Sequence, residues 1–258
     1  MNIFVLMAIL GFGAGFLSGL LGIGGGIIMA PLLLYVPPFF GCEPLTMKVV
    51  AGLTIVQGLA ACFSGMIAHK RFHFVSGGLT TWMGVTIFWA ALIGGAGAQY
   101  VANQVLLVIF ALMALAAALL LLVPTRTDND APDLECFSFS RPKSVTVAGT
   151  VGLLGGLVGQ GGSFILIPLM TSFMQVPTRI AIGSNLGIVF LASLAGFIGK
   201  AATGQIVWTL ALPIVVAVIP AAQLGGILSR RVPVVGLKML LAIFIALAAV
   251  RIGVSALM

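Results

Sequence analysis

Gly15-Phe16-Leu17-Ser18-Gly19-Leu20-Leu21-Gly22-Ile23-Gly24-Gly25-Gly26-Ile27-Ile28-Met29-Ala30-Pro31-Leu32 returns 137 residues later as Gly152-Leu153-Leu154-Gly155-Gly156-Leu157-Val158-Gly159-Gln160-Gly161-Gly162-Ser163-Phe164-Ile165-Leu166-Ile167-Pro168-Leu169, with ten of the eighteen positions identical. Each copy reads as an apolar helix, a glycine cluster and a short apolar helix with a proline. Glycine lets the backbone bend and lets other atoms approach it closely. Within a bilayer, irregular backbone is tolerated only where protein buries it or where it lines a cavity. Broken helices at matching positions of two halves point to the binding site of a transporter.

The composition supports that setting. The chain is 61% hydrophobic and 7% charged, with a mean hydropathy of +1.26. Apolar runs near the length of a membrane span recur throughout, so the sequence predicts an all-α, polytopic membrane protein. Continuous rather than alternating apolar runs argue against a β-barrel. The net charge of +7 belongs mostly to segments between the apolar runs. It is therefore read as a topology signal rather than as a nucleic-acid surface. Cys42, Cys62 and Cys136 are scattered and odd in number, which suggests neither a disulfide framework nor a metal site. Residues 2–22 lead directly into the glycine motif and are read as the first helix rather than as a cleaved leader.

Ile3 to Val36 carries no charge. A straight helix of that length would reach about 50 Å, against a hydrocarbon core of about 30 Å, so the stretch must bend back or break. Apolar spans follow near 49–68, 75–100 and 103–123, and in the second half near 180–200, 206–229 and 234–256. Thr125–Lys143 holds four of the five acids and reads as a linker. The expected organisation is membrane repeat 1 over 1–123, a cytoplasmic linker over 124–143 and membrane repeat 2 over 144–258. The duplication extends past the glycine motif: at an offset of 131, Lys48 falls on Arg179, Gly52 on Gly183, Thr54 on Asn185, Ala61 on Ala192 and Gly65 on Gly196.

Charge selects the topology. If each glycine stretch is a hairpin, full or re-entrant, and three spans follow it, the halves are inverted. One side then collects Lys70, Arg71, Arg126, Arg141, Lys143, Arg179, Arg230, Arg231 and Lys238, against Lys48, Lys200 and Arg251 on the other. A single crossing at each glycine stretch makes the halves parallel and splits the basic residues almost evenly. The positive-inside rule favours two inverted repeats, with the linker in the cytoplasm and the termini outside. Gly11, Gly15 and Gly19 fall four apart, which puts small residues on one helix face for close helix packing.

The spans hold essentially no carboxylates, since Glu43 is the only acid outside the linker. That argues against a carboxylate proton relay and against an acidic cation path. His69 and His73 lie in a basic loop without ligating neighbours, so no metal and no cofactor is called for. The groups available at depth are backbone amides, hydroxyls, side-chain amides and a few cations. Helix N-termini beside flexible glycine backbone attract anions. The candidate lining is therefore Gly22, Gly24, Gly25 and Gly26 in the first copy and Gly159, Gln160, Gly161, Gly162 and Ser163 in the second. Thr54, Gln57, Ser184 and Asn185 extend it from the helices that follow. Lys48 and Arg179 are placed as attracting charges at the cavity mouths. No Ser, Cys or Asp has a placed base, so no catalytic residue is assigned and an enzyme is disfavoured.

Gly22-Ile23-Gly24-Gly25-Gly26-Ile27-Ile28-Met29-Ala30-Pro31, its second copy and Arg179-Ile180-Ala181-Ile182-Gly183-Ser184-Asn185-Leu186 resemble the TauE/SafE family of sulfite exporters. Gln160 and Ser163 depart from that family's usual Ile/Val and Gly. The resemblance implies a multi-pass permease of the cell membrane for small sulfur-containing anions, sulfite or organosulfonates. Its partners would be the anion and the lipid bilayer, with no nucleic acid, and with monomer and homo-oligomer both open. An inside-negative potential drives an anion outward, so export needs no coupled proton. An anion channel, a permease for another small anion and a non-transporting membrane scaffold are the competing readings.

Overall fold

The computed structural model describes residues 2–21, 26–69, 76–122 and 139–229. Among these the chain is helical, without strands: α1 (Ile3–Leu21), α2 (Gly26–Phe39), α3 (Met47–His69), α4 (Gly77–Gly97), α5 (Asn103–Leu122), α6 (Arg141–Val158), α7 (Ser163–Pro168), α8 (Thr178–Ala202) and α9 (Trp208–Ser229). Six of them, α1, α3, α4, α5, α8 and α9, are long and apolar enough to cross a membrane. The expected span near 234–256 lies outside the described residues. The first turn of α6 takes in Arg141–Lys143, at the end of the expected linker.

Small residues decide which helices touch. Between apolar helices in lipid there is no hydrophobic gain from association, so close van der Waals packing holds them. Gly11, Gly15 and Gly19 of α1 face Ile214, Val218 and Ala222 of α9 in rising order, so these helices run parallel. Gly152 and Gly156 of α6 face Ile87 and Ala91 of α4 in the same way. A Cβ on Gly156 would sit 2.9 Å from the amide of Gly95, so backbone packs on backbone there. The pairing is reciprocal: α1, α2, α3, α4 and α6, α7, α8, α9 each form a run of four, and the first helix of each run lies on the last of the other.

At the centre, α3 and α8 run antiparallel, with Gly65 opposite Leu186 and Gly196 opposite Ile55. α4 runs parallel to α8, its Gly84 facing Leu191 and its Gly95 facing Gly196. Large apolar side chains such as Trp89, Ile93, Leu212 and Val216 are left exposed on the outer faces, where lipid would cover them.

The second glycine stretch is a hairpin. α6 ends at Val158, the chain turns through Gly159–Gly162, and α7 returns. Pro168 lacks an N–H, and the helix widens after it into a π-type turn over Leu169–Phe173. The returning arm runs along α5. Phe164 lies against Phe110, ring centroids 5.9 Å apart, and the Ser172 hydroxyl donates to Leu120 O at 3.0 Å. The hairpin closes where it began: Lys143 Nζ lies 5.8 Å from the centroid of Phe173.

Candidate functional site

The turn between α6 and α7 is built by glycines at positive φ. Gly159 caps α6 at φ +75°, and Gly161 and Gly162 follow at +59° and +72°. Side chains rarely adopt these angles. At Gly159 there is also no room, since a Cβ would overlap the carbonyl of Ala51 on α3. The turn then closes on its own helix. Gly159 N donates to Gly156 O at 3.3 Å, Gln160 N to Gly155 O at 2.8 Å and Gly161 N to Gly155 O at 3.2 Å. This satisfies the last carbonyls of α6 in the usual manner of a glycine C-cap. Ser163 N donates to Gln160 O at 3.3 Å.

Four loop amides expected to face a ligand are therefore engaged by the protein itself. What is left over is a set of side chains. Gln57 on α3, Gln160 in the turn, Ser163 at the start of α7 and Ser193 on α8 are all buried. Their side-chain polar atoms find no hydrogen-bond partner among the described residues. Leaving a buried amide or hydroxyl unpaired costs about 1–3 kcal/mol each, so four in one region call for an explanation.

These residues converge. The Cβ position of Gly161 lies 2.9 Å from Ser193 Oγ, and Gly26 at the start of α2 packs directly on Gln160 Oε1. The α3–α8 register brings Gln57 level with the Ser193 turn. Ser193 is the central residue of the apolar span Ser184–Ala202. The break therefore sits at the middle of the bundle, where α2, α3, α6, α7 and α8 meet. The donors are neutral amides and hydroxyls, and the only carboxylate among the described residues is Glu43, in the α2–α3 loop. Such a set can solvate a small oxyanion through N–H and O–H groups, and it lacks the carboxylates that hold a divalent metal cation. No group of metal-ligating side chains occurs among the described residues.

The other expected site residues divide. Thr54 is buried but donates to Val50 O and Ala51 O within its own helix, at 2.9 and 3.3 Å, so its hydroxyl is already satisfied. Ser184 accepts from Ser76 N at 3.2 Å. It stands nine residues from Ser193 on α8, about 13 Å along the axis at 1.5 Å per residue. Asn185 is buried beside it. The fold thus holds this pair near one end of α8, away from the glycine turn. Lys48 sits at the opposite end of the bundle, where its Nζ donates to Gln99 O at 2.9 Å and its backbone N–H to Asn103 Oδ1 at 3.2 Å. Gly22, Gly24 and Gly25 lie outside the described residues, as does the side chain of Arg179.

Three residues were passed over. Ser193 looks in sequence like any small residue of an apolar span. Ser18, buried in the last turns of α1 with no partner among the described residues, is hidden the same way. Lys200 is only 1% exposed, whereas the sequence marks it only as one of the basic residues that set the topology. Its burial depends on α6 and on the loop after α8, which no local pattern shows.

The family profile described as "Sulfite exporter TauE/SafE" matches residues 7–252. Relatives include a "Probable membrane transporter protein YunE" of Bacillus subtilis (strain 168), 26% identical and covering 86% of each chain. A "Probable membrane transporter protein" of Xylella fastidiosa (strain 9a5c) is 31% identical over 90% of this chain and 87% of its own. Another of the same description from Haemophilus influenzae is 24% identical over 96% of this chain and 97% of its own. No solved structure matches the chain.

Proposed function

The chain belongs to the sulfite exporter TauE/SafE family of membrane transporters, and we propose that its cargo is a small sulfur oxyanion, sulfite or an organosulfonate, moved outward. As a transporter of that family it is a multi-pass cell-membrane protein and not an enzyme. The observation that carries the cargo reading is the mid-bundle cluster of buried amides and hydroxyls, Gln57, Gln160, Ser163 and Ser193, which have neither a hydrogen-bond partner nor a neighbouring carboxylate among the described residues. Sulfite and sulfonates present three oxygens to such donors.

The mechanism we infer is alternating access between inverted halves. The reciprocal packing of α1 on α9 and α6 on α4 supports a two-fold relation between the halves. The antiparallel α3 and α8, which match each other in the repeat, support the inversion. The hairpin that starts and ends beside Lys143 and Phe173 supports a re-entrant break rather than a crossing. Rocking of one half against the other would expose the central cluster to each side in turn. An inside-negative potential favours outward movement of an anion by about 2.3 kcal/mol per charge per 100 mV.

The test is thermal unfolding of the purified protein with sulfite, sulfoacetate, taurine, sulfate, thiosulfate and chloride at equal ionic strength, followed by flux in proteoliposomes. A ligand that binds only the folded state raises the melting temperature. A rise with sulfite or a sulfonate, with flux that saturates, supports the reading. No rise with any anion argues against it, and flux that stays linear at high substrate concentration points to a channel.

A further inference from the structure

Lys200 is the most deeply buried cation among the described residues. It lies on α8, 1% exposed, with its Nζ 3.2 Å from Leu157 O and 3.3 Å from Gln205 Oε1. Both partners are neutral oxygens. Among the described residues it has no ion-pair partner, and Glu43 sits in a loop. Gln205 is itself anchored, donating from Nε2 to Gly95 O at 3.0 Å and to Thr203 Oγ1. An ammonium has three donors, of which these contacts use two. A charge buried in the membrane region without a counter-charge is costly and marks a functional position by default.

Its placement links it to the central cluster. Ser193 and Lys200 are seven residues apart on α8, two turns, and so share a helix face. Its ammonium reaches the last turn of α6 at Leu157 O and the loop after α8 at Gln205 Oε1. Leu157, which it touches, lies three residues before Gln160, whose buried amide has no partner among the described residues. The repeat offset of 131 places His69 at the matching position of the first half, so the two halves do not carry equivalent fixed charges here.

We propose that Lys200 is the counter-charge of the anion site: it pairs with the negative charge of an oxyanion whose oxygens are held by Gln57, Gln160, Ser163 and Ser193. This rests on the anion-transport reading above. It also bears on selectivity: hydrogen bonds from neutral donors already favour an ionised sulfonate over a sulfone, and a fixed ammonium widens that gap. A competing role, in which Lys200 merely caps the carbonyl end of α6, predicts a loss of stability without a change in that discrimination.

The experiment measures Kd for sulfite, methanesulfonate and its neutral relative dimethyl sulfone on the full-length protein in nanodiscs, for the wild type, Lys200→Gln, Lys200→Met and Lys200→Arg. The wild type should prefer methanesulfonate to dimethyl sulfone by at least tenfold. Lys200→Gln and Lys200→Met should lose most of that preference, with sulfite binding at least tenfold weaker, while Lys200→Arg stays within about threefold of wild type. Neutral variants that keep the wild-type preference overturn the assignment and leave the transport reading standing. Should neither neutral variant fold, the wild type still decides: equal affinity for methanesulfonate and dimethyl sulfone overturns the assignment. Wild-type protein that binds no anion at all removes both the assignment and the transport reading beneath it.

Discussion

Lys143 Nζ lies 5.8 Å from the ring centroid of Phe173, so the first turn of α6 and the end of the arm after the glycine turn meet at one end of the bundle. Thirty residues of apolar chain thus enter and leave on the same side, turning back at the middle, where Gly161 packs on Ser193. Arg141 lies over the ring of Trp82 at the same end, 5.4 Å from its centroid. Cations over aromatic faces suit the boundary between lipid and water.

That geometry predicts one-sided labelling. With Cys42, Cys62 and Cys136 replaced by serine, Lys143→Cys and Phe173→Cys should react with a membrane-impermeant thiol reagent from the same face, the cytoplasmic one by the charge rule. Reaction from opposite faces would show that the stretch crosses the membrane.

Gly159→Ala should destabilise the protein. The new methyl would have to occupy the space of the Ala51 carbonyl at a backbone angle of +75°. Strain at such angles costs about 1–3 kcal/mol, and overpacking adds a similar amount. Thermal unfolding in detergent should show a clear fall in Tm, and an unchanged Tm would mean the turn relaxes freely.

Ser193→Ala should separate stability from function. Removing a buried hydroxyl that has no partner among the described residues should leave the fold unchanged or firmer by about 1 kcal/mol, since nothing is orphaned by its loss. Anion binding should weaken by several-fold in the same variant. Equal losses of Tm and binding would instead indicate that Ser193 has a structural partner.

Thr54→Val should behave differently from Gln57→Leu, although both residues are buried on the same helix. The Thr54 hydroxyl is satisfied within α3, so its loss should change anion affinity by less than about threefold. Gln57→Leu should lower affinity at least tenfold with little change in Tm. Matching effects of the two would remove Gln57 from the site.

Voltage gives a test of direction. For a singly charged anion moved without a coupling ion, the equilibrium gradient in proteoliposomes should change about fifty-fold per 100 mV, from the 2.3 kcal/mol per charge per 100 mV of the field. A gradient insensitive to voltage would show that a cation travels with the anion.

Much of the fold was legible because membrane solvent imposes strong local rules. Length and hydropathy predicted α1, α3, α4, α5, α8 and α9 to within a few residues, since a span needs about 20 apolar residues whatever its neighbours. The spacing of Gly11, Gly15 and Gly19 announced a close helix contact, and Gly159–Gly162 announced a break. The make-up of the candidate site was partly legible too, because Gln57 and Gln160 are conspicuous in apolar stretches.

Which contacts those features make was decided by tertiary structure. A row of glycines says that something packs closely, but only the bundle chooses α9 as the partner of α1. The positive-φ turn satisfies its own amides on α6, so the expected backbone donors are mostly engaged and side chains are left as the lining. Ser184 and Ser193 are equally plain serines in sequence; depth along α8 and the arrival of Gly161 separate them. Lys200 reads in sequence as one topology-setting basic residue among twelve until α6 ends against it. Hydropathy and glycine spacing act over a few neighbouring residues and are written in the sequence, whereas burial and convergence depend on segments that lie far apart in the chain.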